Sequence, residues 1–216
     1  MFLHGWGGNE TSFANILPFF RCHYRCLTLS MPMFQKEGYA DKPWTLDDYA
    51  GFVTQFLDNN KVEYCHIIAH SFGCRVATLL ATQNPSRYGQ LVFTGAAGIR
   101  YRKRVNSIKI WFYKLRKKLF KTTKGGSSDY RNLSQVGKIT FQNIINRDLS
   151  PDIAKIQNPT LLIFGHYDKS TPLKIGRKWQ KLVKNSELRV YKNSGHFCYI
   201  DEAERFIADA YGHFPK

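Results

Sequence analysis

The chain has 216 residues, 43% hydrophobic and 15% aromatic, which suits one packed domain, or one domain with an insertion, and excludes wholesale disorder. Lys and Arg total 32 against 16 Asp and Glu, a formal net charge of +16, so nucleic acid, an anionic membrane surface and an anionic substrate all come into view as partners. No apolar run approaches the ~20 residues that span a bilayer and no basic leader precedes an apolar stretch, so the expected setting is the cytoplasm.

In chain order, Met1–Leu3 reads as the end of a strand that opens onto His4-Gly5-Trp6-Gly7-Gly8. A second strand is expected at Cys26–Leu29, followed by Ser30-Met31-Pro32-Met33-Phe34. Leu46–Leu57 places Tyr49, Phe52, Val53, Phe56 and Leu57 on one helical face, with Thr45 as N-cap and Asp47 and Asp48 in the first turn. Tyr64–Ala69 is a strand, Gly73–Gln83 a helix and Gln90–Thr94 a strand.

The rhythm breaks between Ile99 and Leu149. Eleven basic residues and no acidic one lie between Arg100 and Lys124, so most of the excess charge sits in one segment. Within it Val105–Lys121 has helical spacing, with Ile108, Trp111, Phe112, Leu115 and Leu119 on one face and lysines on the other. A glycine- and serine-rich joint at 124–128 and a further helical stretch through Ile145 complete what reads as an inserted helical lid. The alternation then resumes: strand Thr160–Phe164, helix Leu173–Val183, strand Leu188–Tyr191, helix Asp201–Tyr211. The expected fold class is α/β, a mostly parallel sheet with helices on both faces. Its organisation is 1–98 core, 99–150 basic helical cap and 151–216 core.

The chemistry centres on Ala69-His70-Ser71-Phe72-Gly73, where a strand runs into a small-x-Ser-x-Gly turn and a helix follows. Such a turn lifts a serine oxygen above the sheet, and the small flanking residues make room for the cramped backbone. A serine nucleophile needs a base and an orienting acid later in the chain. No acid occurs from Tyr64 through Ser128, which excludes the loop after Gln90–Thr94. Asp168 follows the next strand, whereas Asp148 and Asp152 precede it. Of the two downstream histidines, His196 follows a strand through a short loop and is preferred to His213, which is expected at the surface. The catalytic set is therefore Ser71, Asp168 and His196. The backbone N–H groups of Trp6, in a glycine-rich loop, and Phe72, beside the nucleophile, are the expected oxyanion donors. His4 is read as a histidine that braces its loop rather than a catalytic one, and His4, Met33 and Trp111 are the candidates for the substrate pocket. His66 and His70 are read as packing residues.

Four motifs, HGWGG (His4–Gly8), AHSFG (Ala69–Gly73), FGHYD (Phe164–Asp168) and SGHF (Ser194–Phe197), occur in the order and spacing of one family. On them the chain resembles the α/β-hydrolase-fold superfamily over essentially its whole length, specifically serine hydrolases with a helical cap inserted between strands 6 and 7. The family's usual first two strands have no counterpart ahead of Met1, and Ser30–Phe34 keeps only the proline of the family's usual turn. The resemblance implies hydrolysis of a carboxylic ester or thioester through an acyl-enzyme, with no cofactor and no metal. Acyl transfer and carbon–carbon bond hydrolysis can use the same three residues. A non-catalytic, membrane-peripheral or partner-binding protein on a truncated hydrolase scaffold is the reading of a different class. The expected partners are a small acyl substrate and, through the basic cap, an anionic membrane surface. No nucleic-acid recognition motif accompanies the charge. The five cysteines are expected to be reduced thiols.

Overall fold

The computed structural model describes residues 1–32, 41–100 and 133–215. The lid helix expected over 105–121, Trp111 and Met33 lie outside these residues. Five parallel strands, β1 (Phe2–Leu3), β2 (Cys65–His70), β3 (Tyr88–Thr94), β4 (Thr160–Gly165) and β5 (Ser186–Tyr191), form one sheet in the order β1-β2-β3-β4-β5. The helices are α1 (Leu17–Arg21), α2 (Leu46–Asn59), α3 (Phe72–Gln83), α4 (Gln135–Asn146), α5 (Ser150–Ile153), α6 (Leu173–Leu182), α7 (Cys198–Asp201) and α8 (Ala203–His213).

The central strands are apolar on both faces because helices cover both. Alternate residues go to opposite sides, as the two-residue strand period requires. Leu3, Ile67, Ala69, Leu91, Phe93, Leu162 and Phe164 join one core with Tyr49, Val53, Val76, Leu79 and Trp179 of α2, α3 and α6. Their neighbours Phe2, Ile68, Val92, Leu161 and Ile163 join the other with Phe13, Phe20 and Phe206. Register pins this division: Ile68 lies between Phe2 and Val92, and Leu162 pairs with Phe93 and Leu188. Thr45 caps α2 as its sequence position implies, in a reciprocal pair with Asp48.

Two elements differ from expectation. The Cys26–Leu29 strand contracts to a bridge between Thr28 and Phe2, with the Phe2 N–H donating to the Leu27 carbonyl at 2.9 Å. Its partner β1 is two residues long and offers little ladder to extend. The last helix starts at Ala203, and a short turn of helix, α7, precedes it.

The β2–α3 junction positions Ser71. Ser71 has φ 49° and ψ −105°, a conformation that side chains disfavour. Its N–H donates to the Thr94 carbonyl at 3.0 Å, and its own carbonyl accepts from Cys74 and Ala97. Gly73 lets α3 start against β1: a Cβ there would lie 2.2 Å from the Leu3 carbonyl oxygen. Gly73→Ala should therefore destabilise the protein by about 3 kcal/mol, because the obstructing atom is backbone and cannot rotate away. Ser71→Gly should be more stable than Ser71→Ala by about 1 kcal/mol, since only glycine occupies this backbone region without strain. Denaturant unfolding of the three variants checks both.

Candidate active site

All of the sequence-expected catalytic residues lie beyond the C-terminal ends of strands: Ser71 after β2, Asp168 after β4 and His196 after β5. In parallel sheets this is the edge at which ligands bind. The His196 Nδ1 lies 2.7 Å from Asp168 Oδ2. The Asp168 side chain is buried and takes three more hydrogen bonds: Oδ1 accepts from the Ser170 and Thr171 N–H groups at 2.7 and 2.9 Å, and Oδ2 from Thr171 Oγ1 at 2.7 Å. Burial pushes the Asp168 carboxyl up, but its hydrogen bond with and charge attraction to His196, together with Thr171, outweigh that and hold it below the ordinary aspartate value. An ionised Asp168 fixes the proton on His196 Nδ1 and leaves Nε2 as the basic nitrogen. Gly95, with φ 54°, runs so close to this ring that a Cβ would sit 3.0 Å from His196 Nδ1.

Ser71 and His196 line the same cavity of about 660 Å3, together with Trp6, Phe72, Arg75, Phe141, Ile144, Thr171 and Phe197 among others. Trp6 packs edge-on against Phe72 and Phe141, at 5.6 and 4.9 Å between centroids, so the loop that carries Trp6 meets α4 beside the residue that follows Ser71. A smaller cavity of about 290 Å3 lies at the opposite, N-terminal ends of β1 and β2, lined by Met1, Cys26, Cys65, His66 and Phe214. It contains none of Ser71, Asp168 or His196.

His4 does not line the catalytic cavity. It is 1% exposed; its Nδ1 donates to the Gly5 carbonyl at 2.7 Å and its Nε2 accepts from the Met31 N–H at 2.9 Å, which makes it the brace between two loops rather than a pocket residue. His66 Nδ1 accepts from the Gln90 N–H, at the far end of β2. His213 is half-buried rather than on the surface, and its Nε2 donates to the Pro159 carbonyl at 3.3 Å. Two contributors were not singled out from sequence. Thr171 joins Asp168 and lies 3.3 Å from His196 Nδ1; its signal is a hydroxyl three residues after an acid at a turn. Arg75 is a lone charge in a helix whose residues Phe72–Ala81 are all buried. Among the described residues no group of three or more His, Cys, Asp or Glu is placed to hold a metal ion.

His70 does more than fill space. Its Nε2 donates to the His196 carbonyl at 3.1 Å, and its ring lies 4.7 Å from the His196 ring. Burial first, and the neighbouring His196 second, push His70 down to about 3, so it stays neutral beside the base. A histidine that resists protonation when folded but accepts it when unfolded makes stability fall as pH drops from 6.5 toward 3. The wild type should lose up to about 1.4 kcal/mol per pH unit from this group across that window. His70→Asn should show a slope shallower by that amount in unfolding curves taken at pH 7, 6, 5 and 4.

Known proteins share this fold at low identity. A family model described as alpha/beta hydrolase fold matches residues 1–121 and 97–203. The 2-hydroxy-6-oxononadienedioate/2-hydroxy-6-oxononatrienedioate hydrolase 2 of Pseudomonas putida is 26% identical over 239 residues, spanning 94% of this chain and 83% of the relative. The solved meta-cleavage product hydrolase of Pseudomonas fluorescens IP01 superposes with a TM-score of 0.76 at 20% identity, covering 99% of this chain and 89% of that one. An esterase from Exiguobacterium antarcticum superposes at 0.78 and 18% identity, covering 98% and 90%. With strand order, elbow and family model in agreement, the chain belongs to the alpha/beta hydrolase fold family.

Proposed function

We propose that this protein is a serine hydrolase that cleaves a carboxylic ester or thioester through an acyl-enzyme on Ser71. The observation that carries the reading is the His196–Asp168 contact at 2.7 Å, made by a carboxylate that accepts three further hydrogen bonds, with His196 lining the cavity that also holds the strained Ser71. In this reading Ser71 Oγ attacks the substrate carbonyl while His196 Nε2 takes its proton. The N–H groups of Trp6 and Phe72 stabilise the oxyanion, and His196 returns the proton to the leaving alcohol or thiol. Water, deprotonated by the same nitrogen, then attacks the acyl-enzyme and releases the acid.

Carbon–carbon bond hydrolysis is the second reading, favoured by the names of relatives such as the 26%-identical Pseudomonas putida hydrolase. It uses the same residues, with carbon as the leaving atom. Docking at an anionic membrane through the basic segment rests on the sequence alone. Among the described residues no helix is long and apolar enough to cross a membrane.

Turnover of p-nitrophenyl esters tests the leading reading. Ser71→Ala and Asp168→Asn should each lower kcat/KM by roughly 10^3-fold or more with the fold intact by circular dichroism. Equal turnover by wild type and Ser71→Ala would refute it. Hydrolysis of a 2-hydroxy-6-oxo-2,4-dienoate far faster than of any ester would favour carbon–carbon cleavage instead.

A further inference from the structure

Arg75 stands one helical turn after Ser71 on α3, about 6 Å further along the axis, and lines the same cavity. It is 8% exposed. Its Nη1 donates to the carbonyls of Ile144 and Arg147 at 2.9 and 3.1 Å, closing the C-terminal end of α4. No carboxylate among the described residues comes within ion-pair distance of it. The nearby Asp148 spends its Oδ1 on the N–H groups of Arg100 and Ser150 and on the Ser150 hydroxyl.

The rest of the guanidinium makes no hydrogen bond to the described residues, yet none of its nitrogens is both sealed from solvent space and unsatisfied. Arg75 itself lines the cavity that holds Ser71 and His196. Around it the described lining is mostly apolar, with Phe72, Ala97, Phe141, Ile144 and Ile145, and it includes no acidic side chain. Burial lowers Arg75 to about 10, which still leaves it charged at neutral pH. Asp148 offsets part of the cost of burying this charge but stays beyond ion-pair distance, and a buried cation without a directly paired carboxylate is costly to keep. Closing a helix end does not require one, because a neutral amide donor can serve carbonyls as well. A planar fork of donors at the wall of an apolar cavity matches a carboxylate, which it can bind with two parallel hydrogen bonds.

We propose that Arg75 anchors the substrate: its guanidinium pairs with a carboxylate that the acyl substrate carries a few bonds from the carbonyl attacked by Ser71. This rests on the hydrolase reading above and narrows its substrate class to anionic acyl compounds.

Two matched esters test it: the p-nitrophenyl monoester of adipic acid, which carries a free carboxylate, and p-nitrophenyl methyl adipate, which does not. Wild type should favour the anionic ester by about tenfold or more in kcat/KM. Arg75→Gln, which retains a donor for the α4 carbonyls, should bring that ratio to within about twofold of one, and Arg75→Lys should keep part of the preference. Adipate itself should bind wild type in calorimetry and fail to bind Arg75→Gln. A wild type that turns over both esters equally, or a folded Arg75→Gln with an unchanged ratio, would overturn the anchoring role while leaving the hydrolase reading intact. Adipate binding that depends on Arg75 without any ester turnover would do the reverse. Should Arg75→Gln fail to fold, the wild-type ratio and the Arg75→Lys ratio still decide, since an anchoring role requires the first to exceed the second and both to exceed one.

Discussion

Everything at this site depends on the turn at Ser71. A non-glycine residue at φ 49° is held there by the Thr94 carbonyl on its N–H and by the Cys74 and Ala97 N–H groups on its carbonyl. The same turn needs α3 to start almost in contact with β1, which Gly73 alone permits. Packing of the central sheet thus bears the backbone strain that presents the hydroxyl. Gly73→Ala is therefore expected to cost stability at this junction, whereas Ser71→Gly relieves backbone strain at the cost of the hydroxyl.

The electrostatics around the turn are set by burial. Asp168 is out of water but carries four hydrogen bonds, so its charge is stabilised and its orientation fixed. His70, equally buried and in contact with the base, is held neutral and spends its N–H on the His196 backbone. One histidine is thereby paired with Asp168 and the other braces the loop that carries it. Arg75 is the exception: buried, charged and with no carboxylate of the described residues within ion-pair distance, it makes sense as half of a pair completed by the substrate.

Much of this was legible in the residues themselves. Runs such as Leu161–Phe164 announce doubly covered strands, and the order Ser71, Asp168, His196 follows from where acids and histidines fall relative to those runs. What sequence could not convey is distance across the fold. Thr171 looks like any loop threonine until its hydroxyl is found on Asp168. His4 reads from sequence both as a loop brace and as a pocket candidate, and only its two backbone hydrogen bonds decide for the brace. The Cys26–Leu29 run has strand composition but shrinks to one bridge, since its length depends on the partner strand and not on its own propensity. Arg75 shows its meaning only when the cavity and the lack of a directly paired carboxylate among the described residues are seen together.

The central claim is that Ser71 is an activated nucleophile, prepared by His196 and Asp168. Reaction with a fluorophosphonate probe, followed by intact-mass and peptide mapping, tests it most directly because it needs no knowledge of the substrate. Wild type should gain one adduct, located on Ser71, and Asp168→Asn should label far more slowly at the same residue. A folded wild type that stays unlabelled, or that is labelled elsewhere, would contradict it.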